Sequence, residues 1–508
     1  MLRNGIHGGS KAWSFVVPLC VVSLFIVVRL CTFLLVQGTD LIGDQGWYFS
    51  MSSRMCDELL PYLLSLDSVD YKSLVGRGLF MPGMLFLLSP LTCFGVEVDT
   101  ARAAISALSC VIAIVIYLQA YRYHRAAATA MFLVLCAWPQ YHYYSFTLWA
   151  DALAGHLIVL FGLAIIRAHY SIATSTSTKP KSGLLRNVLY IGFLGAVCIY
   201  LRGNAALSIV AILIIWFLAI ISVGCSWSRD QGFRILGCVL LFIALSLAPW
   251  RAATERILGA PYTLTTTLKS SLMIQYGKRD LIYQYTGKDE TYELPEVWKK
   301  IRAQHTRYLI LQVLEDFHSG IPFKQAEDKA WRAVMEPVST DRILDSLTKA
   351  HSNHFFHWKN FTQWIVNIEK YPLDSVLMKS LRTLNSIVYL GLLMTTFIVF
   401  LVPVIGPFRQ QIPILMWKAA WFAASTQPLV HAGNGRHWHG SAILMGLSLV
   451  IAPMLIDAYR NRSSFRRDSS SAVELGVTYL SVTAQTIIGL GAASLYLYLW
   501  RYNQFALP

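Results

Sequence analysis

The chain has 508 residues, a formal charge of +15, 55% apolar and only 14% charged residues, and a mean hydropathy of +0.49. Soluble domains carry about a quarter charged residues, so this composition excludes an ordinary soluble enzyme of the same length. The basic residues lie between long apolar runs, so the charge reads as membrane orientation and no nucleic-acid partner is expected.

The first apolar run, 14–36, follows Arg3 and Lys11. It is too long for the apolar stretch of a cleaved signal and has no small-residue cleavage site behind it, so an uncleaved anchor is expected. A loop over 37–77 follows, with six acids (Asp40, Asp44, Asp57, Glu58, Asp67, Asp70) against Arg54, Lys72 and Arg77. Next comes 78–95, a short apolar segment holding Pro82 and Pro90, which favour a kinked or half-inserted juxtamembrane helix. Further runs of spanning character lie at 101–120, 126–140, 148–166, 187–201, 205–224, 235–250, 384–406, 413–430, 440–456 and 475–499. The nine cysteines fall mostly inside apolar runs and form no CxxC pair, so they read as small hydrophobes.

The predicted fold is therefore all-α and polytopic, with about 11 transmembrane helices plus the juxtamembrane helix. Three parts follow: an N-terminal membrane module over 1–250, an exterior soluble insertion over 251–383, and C-terminal membrane helices over 384–508. The insertion is expected to be mainly helical, with at most a few irregular strands. If 78–95 does not cross, Arg122, Arg125, Arg167, Lys179, Lys181, Arg186 and the cluster Arg460, Arg462, Arg466 and Arg467 all stay inside with the N-terminus, as the positive-inside rule prefers. The loops 37–77, 140–147, 202–204, 251–383 and 431–439 then share the exterior face.

That face collects the residues suited to chemistry. Asp44 lies just beyond the first span, Asp151 opens the fourth, Arg202 closes the fifth, Arg436 precedes the tenth and Arg77 stands before the Pro82 segment. Guanidinium groups recognise phosphate with paired donors, and a carboxylate can take a proton from an attacking hydroxyl. Two carboxylates and several arginines at one lipid–water boundary suit a reaction on a lipid-linked phosphate.

The order of motifs resembles the polytopic GT-C glycosyltransferases, in the branch of bacterial membrane sugar transferases related to protein O-mannosyltransferases and aminoarabinose lipid A transferases. The motifs are GDQGWYF with Asp44 and Tyr48, the Arg then Pro-Gly entry of GRGLFMPGMLFLLSP, and the Arg-led helix from TARAAIS. Then come the aromatic and acid-led WPQYHYYSFTLWADALAGHL, the Leu-Arg ending of LGAVCIYLRGNA, the LAPWRAATERILG exit, and GNGRHWHGSAILMG in place of a Gly-Arg-Tyr entry to a late helix. They cover roughly 14–280 and 431–456 in order; no single motif is specific.

The resemblance implies an inverting transfer from a polyprenyl-phosphate-linked sugar donor to an acceptor glycan, lipid or protein at the exterior face. Asp44 would be the general base, with Asp151 as the second acid of the site. Tyr48, Arg77, Arg202, Arg436 and His437 would bind substrate. The family often has a second acid directly after the first; Gln45 stands there, so no metal or other cofactor is expected. A bacterial inner membrane is the preferred location, with the endoplasmic reticulum as the alternative.

Plainer readings stand beside these. Asp44 can cap a helix starting near Trp47, with Asp40 as the competing acid. Arg202 and Arg436 can be interfacial anchors, and Arg251 and Lys269 are weaker phosphate candidates. Tyr141, Tyr143 and Tyr144 read as an interfacial aromatic belt ahead of a sugar platform. Arg29 and Arg102 are buried pairs or mark mis-set boundaries. The set His431, His437 and His439 has a Gly-rich loop and no nearby acid, which favours an interfacial or substrate-contacting role over a metal; His351, His354 and His357 share one helical face, by default a solvated or packed one; and Asn360 to Thr362 is an acceptor sequon of meaning only in a glycosylating host. A flippase for lipid-linked sugars, or a lipid-linked glycan ligase or polymerase, are the rival functions; the first should show paired-half symmetry, which the sequence lacks.

Overall fold

The computed structural model describes residues 13–41, 45–46, 48–53, 82–173, 184–223, 226–262, 264, 268–288, 291, 304–355, 372, 374–405, 408–426, 435–460 and 472–506. Among them there are helices and no strands. The irregular strands expected in the insertion are therefore not found among the described residues.

Among the described residues, seven helices hold a stretch long and apolar enough to cross a membrane: Val16–Val36, Val98–Tyr123, Ala150–Ile172, Ser228–Ala252, Val376–Leu401, Gly440–Arg460 and Gly476–Leu499. The chain is an all-α, multi-pass membrane protein. In full these helices are α1 (Trp13–Val36), α3 (Val98–Tyr123), α6 (Ala150–Ala173), α9 (Ser226–Leu258), α15 (Val376–Leu401), α17 (Gly435–Arg460) and α18 (Ala472–Ala506).

Shorter apolar helices lie between them: α2 (Gly83–Cys93), α4 (Arg125–Cys136), α7 (Leu184–Leu201), α8 (Ala205–Ile221) and α16 (Phe408–Ser425). The 11 residues of α2 rise only about 16 Å, half of a hydrocarbon core of about 30 Å. The predicted run 126–140 is broken as well. Pro139 disfavours helical geometry at the residue before it, and Trp138 is extended at φ −97°, ψ 98°. The chain stops α4 there and restarts as the seven-residue α5 (Pro139–Ser145).

Burial ranks the helices. In α6, 83% of the apolar stretch is buried inside the protein, against 6% in α18. Helices α3, α7, α8, α9, α16 and α17 all pack on α6, so α6 is the central post and α18 stands at the rim. One continuous core joins them, with Phe132 stacked between Phe25 and Tyr117 at ring separations of 4.4 and 4.5 Å.

The insertion has a core of its own. Helices α10 (Leu268–Tyr276), α11 (Arg279–Thr286), α12 (Gln304–His318) and α13 (Phe323–Met335) bury Met273, Ile282, Leu309, Val313, Phe323 and Ala330 together with Leu258 from the end of α9. Helix α14 (Thr340–Phe355) packs on α10, α17 and α18. The insertion thus begins as a direct continuation of α9, which runs unbroken past the expected boundary at 251. The end of the bundle at which α6 starts and α7 stops is called the upper end below.

Candidate active site

Four backbone approaches assemble the upper end. The Gly38 N–H donates to Asp99 Oδ2 at 2.8 Å, and the Arg102 guanidinium donates to the carbonyls of Thr39 (2.7 Å) and Asp40 (3.1 Å) and to Asp99 Oδ1 (3.0 Å). The start of α3 therefore grips the root of the first loop. Arg102 is itself buried, but its partner Asp99 is 34% exposed, so the pair lies at the edge of the bundle and is not a buried one. Asp40 lends that grip its carbonyl while its own side chain stays exposed.

The second approach is at Gln45. Its Oε1 accepts the Leu148 N–H at 3.0 Å, and the side chain is buried. This ties the first loop to the turn that leads into α6, two residues before that helix begins. Sequence reasoning treats Gln45 only as a missing second acid; its role as a loop fastener carries no local signal.

The third approach is at α2. A Cβ on Gly83 would meet the Tyr200 carbonyl carbon at 2.4 Å and Leu201 N at 2.5 Å. The juxtamembrane helix therefore enters with its backbone against the last turn of α7, next to Arg202, which no side chain other than hydrogen permits. The fourth is between α6 and α17. A Cβ on Gly155 would lie 2.1 Å from Gly440 O, and one on Gly440 would lie 3.4 Å from Asp151 O. Small residues let apolar helices approach this closely. The start of α17 is thus fixed beside the start of α6.

Asp151 and Arg202 meet in this frame as an ion pair, with side chains 6% and 17% exposed. Arg202 Nε also donates to Asn204 Oδ1 at 2.8 Å. Asp151 occupies the first turn of α6, where the exposed N–H groups of the helix favour a negative charge. A guanidinium has five donors in a planar fork, and the acid and Asn204 orient it. Asn204 was not singled out in the sequence, although it stands two residues beyond Arg202.

The remaining candidates are placed as follows. Tyr48 is partly buried and packs with Val36, Tyr143, Tyr144, Phe146 and Trp149. Tyr141, Tyr143 and Tyr144 are buried at 2%, 2% and 8% exposure, so the aromatic belt expected there is interior packing: the break at Pro139 turns α5 inward. Arg436 and His437 lie in the first turn of α17, but nothing is described of their side chains. Asp44 and Arg77 lie outside the described residues. Lys269 is paired with Asp328 in the insertion. Among the described residues no group of three His, Cys, Asp or Glu side chains is placed to hold a metal ion.

Comparison with protein-family models, with curated proteins and with solved structures gives no match.

Proposed function

We propose that the chain is an integral membrane glycosyltransferase of GT-C type, with about eleven passes and α2 as its juxtamembrane helix. It moves a sugar, with inversion, from a polyprenyl-phosphate donor to an acceptor hydroxyl on a glycan, lipid or protein at the exterior face. The observation that carries this reading is the buried Asp151–Arg202 pair at the upper end. The residue after Asp44 is fastened to Leu148, three residues before Asp151, and Gly440, one turn beyond Arg436 in α17, lies against the backbone of Asp151.

In this mechanism Asp44 accepts the proton of the acceptor hydroxyl. The oxygen attacks the anomeric carbon, the bond from that carbon to the phosphate oxygen breaks, and the polyprenyl phosphate leaves with the electron pair. Arg202, Arg77 and Arg436 stabilise the charge that develops on the phosphate, a preorganised electrostatic contribution that needs no nucleotide-binding fold and no metal. Asp151 and Asn204 hold the Arg202 fork in position before the donor arrives. Tyr48 stands at the first loop to contact the donor. The exterior face is that of a bacterial inner membrane, with the endoplasmic reticulum as the alternative.

The test is transfer of labelled sugar from a polyprenyl-phosphate donor in proteoliposomes. Asp44→Asn is expected to fold, insert and lose at least about 100-fold in rate, in the range of a removed general base. Wild-type transfer by Asp44→Asn would sink the assignment of the base. Donor crossing the bilayer with no transfer by the wild-type protein would favour a flippase.

A further inference from the structure

Cys93 departs from the reading of the cysteines as small hydrophobes: it is disulfide-bonded. Six of the other cysteines, Cys20, Cys31, Cys110, Cys136, Cys198 and Cys238, are free thiols. Of the nine in the chain, Cys56 and Cys225 are left as partners, and both lie outside the described residues. The surroundings of Cys93 decide between them, because the Cα atoms of a disulfide pair stand no more than about 7 Å apart.

Cys93 is the last residue of α2, and the chain folds back there. The Gly95 N–H donates to Thr92 O at 3.0 Å and the Val96 N–H to Leu91 O at 3.1 Å, with Gly95 at φ 69°. From Val96, about 7 Å of chain leads to Val98 at the start of α3. Cys93 therefore stands beside the α3 turn whose Asp99 and Arg102 hold the root of the first loop at Gly38, Thr39 and Asp40. The same loop is held again at Tyr48, which packs with Val36 and Tyr143, and at the buried Ser52. Ser53 comes three residues before Cys56, a reach of about 11 Å at most. Chain length alone keeps Cys56 near the upper end.

Cys225 belongs to the other end. Helix α8 starts at Ala205, just beyond Arg202, and runs down to Ile221, a rise of about 25 Å. Cys225 follows the buried Val223 by two residues. About 7 Å of chain and one disulfide do not recover that length.

We infer that Cys56 and Cys93 form a disulfide at the upper end, closing 56–93 into a ring that holds Arg77 and all of α2. In its formation each sulfur gives up a proton, and two electrons pass by thiol–disulfide exchange to a protein disulfide of the outer compartment, which is left as a dithiol. Such bonds persist in the bacterial periplasm and the endoplasmic reticulum lumen alike. The pair thus marks the upper end as the oxidising side, independently of the basic residues that orient the chain and of the transfer reading.

The test uses the full-length protein in its native membrane, alkylated with N-ethylmaleimide before solubilisation and digested with trypsin without reductant. Peptides 55–72 and 78–102, which carry Cys56 and Cys93, should appear as one linked species that reduction separates. Peptide 203–229, which carries Cys225, should appear alone and alkylated. In sealed right-side-out vesicles reduced by an impermeant phosphine, a charged maleimide should label Cys56 and Cys93; in inverted vesicles it should label neither until the membrane is opened. Cys56→Ser should leave Cys93 alkylated without reduction, and Cys225→Ser should keep the linked species at its wild-type level. Alkylation of Cys93 in the unreduced wild type, a link between 78–102 and 203–229, or labelling of the pair in sealed inverted vesicles would overturn the assignment, and none of these readings needs a variant to fold.

Discussion

Arg202 and Arg29 are both withdrawn from water in the same bundle, yet their surroundings differ in kind. Arg202 sits at the upper end against Asp151 and Asn204. Arg29 sits inside α1, 4% exposed, with its Cζ 5.1 Å from the ring centroids of both Phe25 and Tyr141 and one bond, from Nη1 to Ser106 Oγ at 3.2 Å. Its Nε and Nη2 have no hydrogen-bond partner among the described residues.

The rings around Arg29 are themselves fixed. The His156 Nδ1–H faces the Ala152 carbonyl at 2.6 Å, which leaves Nε2 to accept from the Tyr141 hydroxyl at 2.6 Å. Ser106 continues the network to Ser145 on α5 at 3.1 Å. Arg29 therefore joins α1, α3 and α5 through π faces and hydroxyls, and has no acid among the described residues to exchange for a phosphate. The difference teaches where charge can change hands: at the upper end a carboxylate keeps a guanidinium charged and aimed until an anion arrives, while in the middle of the bundle the charge is only part of the packing.

The largest effect expected of breaking this contrast is at Arg202. Arg202→Ala leaves Asp151 buried without its cation, and should lower stability by about 3–5 kcal/mol. Asp151→Asn combined with Arg202→Gln should recover most of that stability and recover no transfer; full transfer by the double variant would make the pair merely structural.

The next effect concerns the insertion, whose buried acid is held in yet another way. Glu327 is 1% exposed. Its Oε2 accepts from the Tyr262 hydroxyl at 2.9 Å, and its Oε1 has no partner among the described residues. Burial pushes its carboxyl up to about 7, against the opposing effects of the Tyr262 bond and the Lys269 charge and with a smaller upward push from Asp328. A raised acid favours the folded state while protonated. The insertion should be most stable below about pH 4.5 as far as this group is concerned, and should lose about 3 kcal/mol as pH rises through 7. Glu327→Gln should flatten that slope in hydrogen exchange of α13, and an unchanged slope would contradict the assignment.

A smaller effect is expected at the α6–α17 crossing. Gly155→Ala places a methyl group against Gly440 O and should cost about 1–3 kcal/mol in thermal unfolding, as overpacking does. The smallest is at Arg29. Among the described residues the Arg29 charge has no acid partner, so Arg29→Met, which also removes the cost of burying that charge, should change stability by about 1 kcal/mol or less and leave transfer within about twofold. Loss of transfer there would erase the distinction between the two arginines.

Much of this layout is legible in the sequence because its signals are local. Apolar length marks the membrane helices, Pro82 and Pro90 mark a short entry helix, and Asp151 and Arg202 stand at the ends of their runs on one face. Other features depend on partners far along the chain. Nothing beside Gln45 announces its bond to Leu148, and Gly83, Gly155 and Gly440 become informative only once Tyr200, Leu201 and Asp151 are seen against them. The tyrosines of α5 misled for a physical reason: aromatic residues at a helix end usually sit at the interface, but the restart at Pro139 carries these inward. Asp44 and Arg77 rest on the topology argument and the motif order, since both lie outside the described residues.

The most direct test of the central claim is the position of a bound donor head. A structure with a non-transferable polyprenyl-phosphate sugar should place the phosphorus where its oxygens lie within about 3 Å of the Arg202 guanidinium, on the face of the upper end that also carries Asp151 and the first turn of α17. A phosphate bound away from Arg202, Arg77 and Arg436, with Asp44 out of reach of the anomeric carbon, would contradict the account.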